Sequence, residues 1–243
     1  MTPLGHKLLV LFLLLFSAQT RGDGTAVTQI YSPYVQPLEK ELEFVWIHDE
    51  RRQGHTPTSS SSKFGYGTSL FPNLYTELSL THINTDDGSL DEIELEAIWQ
   101  LTEQGEYSSD WGLLFEMETV LGEDANEISV GVINQKDIKR WSIISNFVVS
   151  YEWGEYLQDE PETRLGIQTR YRLGAEFEPT VELFMGDETR AIGPGATGIF
   201  KMTQARQLRW NAAILFGLDG YADYTAKLEF EYEFFYIKHT VRH

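Results

Sequence analysis

Residues 91–102 read DEIELEAIWQLT, and their spacing decides the fold. Ile93, Leu95, Ala97, Trp99 and Leu101 take every second position, while Glu92, Glu94, Glu96, Gln100 and Thr102 take those between. Ile98 alone is out of pattern. A period of two puts alternate side chains on opposite faces of an extended strand, so this stretch predicts a strand with one apolar and one acidic face. Residues 225–236, TAKLEFEYEFFY, repeat the pattern: Ala226, Leu228, Phe230, Tyr232, Phe234 and Tyr236 alternate with Lys227, Glu229, Glu231 and Glu233.

The same alternation recurs along the chain. It predicts about twelve strands, near 40–48, 63–71, 73–82, 91–102, 111–120, 126–134, 141–151, 164–172, 177–185, 196–202, 207–217 and 225–236. Strands of about 9–11 residues are long enough to cross a bilayer obliquely. Residues 49–62, 152–163 and 186–195 read as longer polar loops, with Ser59 to Ser62 a solvated run, and all three fall on one end of a twelve-stranded meander. Tight connections at Phe71-Pro72-Asn73 and Arg172 to Glu176 fall on the other end, where 103–110 is a longer exception. Short turns at one end and longer loops at the other are the habit of bacterial outer-membrane barrels.

The beginning of the chain predicts export. Lys7 precedes Leu8 to Phe16, an unbroken apolar run of nine residues. A helix needs about 20 apolar residues to span a bilayer, so this run reads as the apolar core of a signal peptide. Gly24 and Ala26 form a small-x-small pair, which places cleavage after Ala26. The expected organisation is a signal peptide over 1–26 and a single barrel domain over 27–243.

Composition narrows the function classes. There is no cysteine, which excludes disulfides, thiolate metal sites and a lipid-modified N-terminal cysteine. A net charge of −18 argues against nucleic acid as a partner, because phosphate binding needs a basic surface. Alternation alone also suits a soluble periplasmic ligand-binding barrel. Two features favour the membrane. The polar face carries runs of glutamate, and the apolar face carries large rings near strand ends, among them Phe44, Trp46, Phe64, Tyr66, Trp99, Trp111, Trp141, Tyr151, Tyr171, Phe177, Trp210, Phe216 and Tyr236. Rings at the strand ends match the aromatic girdles of a membrane barrel, and so many of them pointing inward would overfill a small soluble one. The fold class expected is therefore all-β: an antiparallel up-and-down transmembrane barrel in the outer membrane, with lipid around it.

The interior would then be acidic. If strands four and five form a hairpin, Glu94 and Glu96 lie near Glu118 and Glu116. If the last strand closes on the first, Glu231 and Glu233 lie near Glu43 and Glu41. Like charges directly opposite are destabilising and call for water, a cation, a base or a proton between them. A cation-attracting wall or a divalent-metal site is one reading, and a hydrated lumen with no specific ligand is the other; no metal and no cofactor is assigned. The eighth strand brings Arg164, Arg170 and Arg172 inward beside Glu178 and Glu182 of its hairpin partner. These charges either pair between strands or set a field across a pore. Together they are the candidate lumen-lining and selectivity residues.

Two further motifs were tested for chemistry. Gly193-Pro194-Gly195-Ala196-Thr197-Gly198 satisfies G-x-G-x-x-G literally, but no helix pattern follows it, so it reads as a surface loop. A lipid hydrolase on a barrel wall would need a Ser–His pair facing lipid. His48 and His82 fall near strand ends, and Ser79 and Ser145 carry no nucleophile motif, so no catalytic residue is assigned.

The start of the mature region, Tyr31-Ser32-Pro33-Tyr34-Val35 followed by Glu39-Lys40-Glu41-Leu42-Glu43-Phe44, resembles the opening of a group of small Gram-negative outer-membrane porin-like barrels, some associated with phenol meta-pathway degradation. The resemblance implies a channel or transporter for small polar or amphipathic molecules and no enzymatic activity. It departs from such barrels at the end, where Ile237 to His243 follows Tyr236 in place of a terminal aromatic. A lipid hydrolase and a soluble ligand-binding barrel stand as the alternatives.

Overall fold

A computed structural model of the chain describes residues 27–50, 58–85, 88–154, 161–186, 190–218 and 222–235. Twelve strands follow one another: β1 (Glu39–Glu50), β2 (Ser59–Phe71), β3 (Leu74–Thr85), β4 (Gly88–Gln100), β5 (Asp110–Val120), β6 (Ala125–Ile138), β7 (Trp141–Gly154), β8 (Pro161–Tyr171), β9 (Glu178–Met185), β10 (Arg190–Thr203), β11 (Arg206–Gly217) and β12 (Tyr224–Phe235). Each pairs antiparallel with its sequence neighbour, and β12 pairs with β1 from Glu39↔Phe235 to Glu50↔Tyr224, which closes the barrel. Closure leaves no free sheet edge, so every strand's backbone is paired on both sides.

The outside is apolar. Leu42, Phe64, Leu78, Leu95, Met117, Ile128, Phe147, Val181, Ile214 and Phe216 are all exposed, Phe64 by 61% and Leu78 by 57%. A water-soluble barrel would not leave such a continuous apolar wall bare, whereas a lipid-facing barrel requires it. Aromatic rings gather at the two rims. Trp141 meets Tyr171 edge-on at 4.8 Å at one end, and Tyr151 stacks near Trp153 at 6.2 Å at the other. No described helix is long and apolar enough to cross a membrane; the barrel crosses with strands.

The strands run further than the sequence pattern indicates. Ser59–Ser62 lies in β2, not in a solvated loop, and Gly193-Pro194-Gly195 lies within β10, not in a surface loop. Serine runs and a Gly-Pro-Gly carry weak strand propensity, yet both neighbours of each strand supply partners: Ser59–Ser62 pair with Asp49–Trp46 on one side and Thr85–His82 on the other. Only residues 51–58, 121–124, 155–160, 186–189 and 218–223 then connect strands at the looped end, with 86–87 as short as a turn. The opposite end has 72–73, 101–109, 139–140, 172–177 and 204–205. The expected signal peptide, Tyr236 and the tail 237–243 lie outside the described residues.

Candidate functional site

The lumen is not empty. Residues 27–36, which precede β1, run through it. Their path starts at the rim where β1 begins. Val35 N–H donates to Gln100 Oε1 of β4 at 2.8 Å, and the Tyr34 hydroxyl donates to Asp110 Oδ2 of β5 at 2.6 Å. Ser32 Oγ donates to Gln135 Oε1 of β6 at 3.2 Å. Asn146 of β7 then acts as a surrogate strand. Its Oδ1 accepts from Tyr31 N–H at 2.6 Å and its Nδ2 donates to Tyr31 O at 2.9 Å. Gln29 donates from Nε2 to Glu43 of β1 and accepts from Lys63 Nζ of β2 at 3.1 Å. Lys227 Nζ of β12 donates to Thr28 O at 3.3 Å. Val27 ends packed with Phe184, Ala191, Ala213 and Leu215 of β9 to β11.

This segment therefore bridges β1 and β2 to β7, strands on opposite sides of the ring, within three residues of chain. A strap with side chains on both walls crosses the bore at that level. The wall makes room for it with glycines. A Cβ on Gly112 would lie 3.1 Å from Pro33 Cβ, and one on Gly166 would lie 3.2 Å from Ile30 Cγ1.

The strap also explains Ile98, the residue that broke the alternation. It faces inward and joins Val35, Tyr75, Leu114, Ile133 and Val148 in one buried apolar cluster, with Tyr31 packed against it. A hydrated pore would not carry those inward apolar groups. A strap with an apolar face pairs with them.

Around the strap the lumen is lined with charge. Lys63 sits among four carboxylates, with Nζ 3.4 Å from Glu43 and Glu77, 3.6 Å from Glu94 and 3.8 Å from Glu96. Lys227 is wholly buried, 2.9 Å from Glu182 Oε2 and 3.0 Å from Glu229 Oε1. Arg209 holds Glu231 and Glu233, each at 2.8 Å. Lys63, Lys227 and Arg209 carry most of the compensation, and none of them was among the candidate residues. Their signal was present as bases at inward parity, Lys63 and Lys227 each the one base of its strand and Arg209 the one inward base of β11.

The candidate residues fall as follows. Glu94 lies opposite Glu118 and Glu96 opposite Glu116. Glu41 lies opposite Glu233 and Glu43 opposite Glu231. Glu118 also faces Glu127 across the β5–β6 seam. Arg164 reaches past its own hairpin to Glu116 at 3.0 Å and Glu127 at 3.6 Å. Arg170 pairs with Glu178 at 3.2 Å, and Arg172 with Asp137 at 2.6 Å at the rim. Glu182 pairs with Lys227 and accepts from Gln168 and Asn211, not from an arginine of β8.

Ser79 and Ser145 stay apart from the histidines, while Ser60 lies opposite His48 and Ser62 opposite His82. Ser79 is buried on the inner face of β3, while His82 is exposed and bonds Asp91 through Nδ1 at 2.6 Å. His48 contacts Glu50 at 3.5 Å. Ser145 lies on β7, across the ring from both histidines.

No family model matches the chain, and no curated protein matches its sequence. Solved structures match its fold. The COG4313 outer membrane channel from Pseudomonas putida F1 superposes with a TM-score of 0.61 at 12% identity, covering 86% of this chain and 100% of that one. The KdgM porin gives 0.53 at 8% identity, covering 81% and 99%. The β domain of the Bordetella autotransporter BrkA gives 0.59 at 9% identity, covering 82% and 100%.

Proposed function

We propose that this chain is an outer-membrane channel for small polar or amphipathic molecules, and that residues 27–36 close it at rest. The observation that carries this reading is the combination of a lipid-compatible exterior with a charge-lined bore crossed by a strap on hydrogen bonds. The strap is held by side-chain hydrogen bonds, two lysines and two apolar clusters, contacts that can be exchanged for water and solute without breaking a strand pairing. Outer-membrane porins and channels with the same fold support the reading. Residues 1–26 direct export, and residues 27–243 make up the barrel.

Selectivity follows from the lining. KdgM has been solved with oligogalacturonate, a polyanion. The acidic wall around Lys63 opposes such a solute, so neutral or cationic molecules are the cargo class here. Planar-bilayer recordings and liposome swelling test the proposal. Wild-type protein should conduct weakly. Deletion of residues 27–35, with 1–26 retained, should raise conductance severalfold and favour cations over anions. A deletion variant that folds, shown by a heat-dependent gel shift, and still passes neither ions nor sugars would refute it. Recovery of the wild type in the soluble periplasmic fraction would refute the membrane location.

A further inference from the structure

Among the described residues, three trios of carboxylates bring one oxygen each to within 4.8 Å of the others: Glu39–Glu41–Glu233, Glu41–Glu43–Glu77 and Glu94–Glu96–Glu116. They are not equally provided for. In the first, Glu233 holds Arg209 and Gln207. In the second, the Tyr75 hydroxyl donates towards Glu41 and Glu77, Gln29 donates to Glu43, and Lys63 stands 3.4 Å from two of the three. In the third, Arg164 takes Glu116, but Glu94 and Glu96 have only the distant side of Lys63, at 3.6 and 3.8 Å. Glu94 Oε1 and Glu96 Oε2 receive no hydrogen bond, as is also true of Glu43 Oε2 and Glu77 Oε1, but those two stand nearer to Lys63 and the second trio has the Tyr75 and Gln29 donors besides.

An independent observation falls at the same place. Ser79 faces the lumen directly opposite Glu94, is only 4% exposed, and its Oγ has no hydrogen-bond partner. A serine hydroxyl rotates freely and is easy to satisfy, so a buried one without a partner calls for an explanation, and its lone pairs are open to a cation held by the carboxylates beside it.

We propose that Glu94, Glu96 and Glu116, with Ser79 Oγ, hold a divalent cation of the size of calcium. Oxygen ligands sit about 2.3–2.6 Å from Ca²⁺, so opposed ligands stand up to about 5 Å apart, which accommodates three oxygens that lie within 4.8 Å of one another. The charge balance points the same way. One ammonium serves four carboxylates around Lys63, and a doubly charged ion beside it offsets the surplus that burial otherwise penalises. Glu94 keeps 14% of its side chain exposed, which gives the ion an approach from the bore. Tyr31 of the strap packs against the cluster that holds Ile98 and Leu114, which stand two residues along β4 and β5 from Glu96 and Glu116.

Terbium tests the site, since it replaces calcium and emits when a nearby excited tyrosine passes energy to it. The full-length barrel in detergent, titrated with Tb³⁺ under tyrosine excitation, should show one saturable ion per chain, displaced by Ca²⁺. Glu94→Gln and Glu96→Gln should each weaken binding by more than about tenfold, the loss that removal of even an outer-shell partner causes. Glu39→Gln, in the first trio, should leave it unchanged. Tyr31→Phe should dim the emission without moving the Ca²⁺ competition midpoint. Absence of saturable emission overturns the proposal. So does wild-type binding in folded Glu94→Gln and Glu96→Gln, or loss of binding in Glu39→Gln. The titration needs no conductance, so a failed channel recording and a failed metal site are told apart.

Discussion

Replacing Lys227 by methionine removes the positive member of a fully enclosed charge cluster while keeping an unbranched apolar side chain as far as the Cε position. Its Nζ lies 2.9 Å from Glu182 Oε2, 3.0 Å from Glu229 Oε1 and 5.0 Å from the Phe184 ring centroid, and it donates to Thr28 O at 3.3 Å. Taking one partner out of a buried ion pair costs about 3–5 kcal/mol, because the other charge stays buried without compensation. The two carboxylates do not share that cost evenly. Glu182 Oε1 keeps donors from Gln168 at 2.9 Å and Asn211 at 3.0 Å. Glu229 Oε1 has no hydrogen-bond donor beyond the lysine's ion pair. Most of the penalty therefore falls on Glu229, and Glu229→Gln added to Lys227→Met should return about half of it, roughly 2 kcal/mol. Urea unfolding of the barrel in lipid vesicles, followed by tryptophan fluorescence, measures both variants. If Lys227→Met lies within about 1 kcal/mol of wild type, or if the double variant is no more stable than the single one, the cluster does not hold the wall as described.

The remaining predictions concern the strap and the field it sits in. Pro33→Cys with Gly112→Cys should form a disulfide in this cysteine-free chain, since the Cβ atoms would stand 3.1 Å apart and a relaxation of about 0.5 Å reaches the disulfide range; non-reducing gels read the bond, and conductance should rise only after reduction. Gly166→Val places a branched side chain where Ile30 packs at 3.2 Å from the new Cβ, so it should displace the strap and raise conductance towards that of the deletion, as single-channel recording would show. Arg164→Gln frees Glu116 and Glu127 from their base and should increase cation over anion permeability by a few-fold, read as a shift of reversal potential in a salt gradient.

The inner and outer faces were legible because strand geometry is local. Glu92, Glu94 and Glu96 point one way and Ile93, Leu95 and Trp99 the other whatever the strand pairs with, and the strand count follows from repeating that test along the chain. Strand ends were less legible. Ser59–Ser62 and Gly193–Gly195 have loop-like composition, and it is pairing on both flanks that holds them extended. The seams Glu94↔Glu118 and Glu43↔Glu231 followed once neighbours were assigned, because antiparallel register is a short-range count from a turn or a closing pair.

By itself, then, the sequence determined an antiparallel barrel of twelve strands with an apolar outside and an acidic inside, since a two-residue period and the sign of each side chain require no partner to be read. Tertiary structure alone decided what occupies the bore. Val27 meets Leu215, Gln29 meets Lys63 and Tyr31 meets Asn146 across separations that no local period encodes. Ile98, an apolar residue at a polar position, was a trace of this in the sequence, as were Leu114, Ile133 and Val148 at inward parity, and the reason appears only when the strap lies against them. The placing of the bases was decided in the same way. One lysine shared by four carboxylates depends on side-chain reach across neighbouring strands, which brings Glu43 of β1, Glu77 of β3 and Glu94 and Glu96 of β4 around the Lys63 side chain of β2.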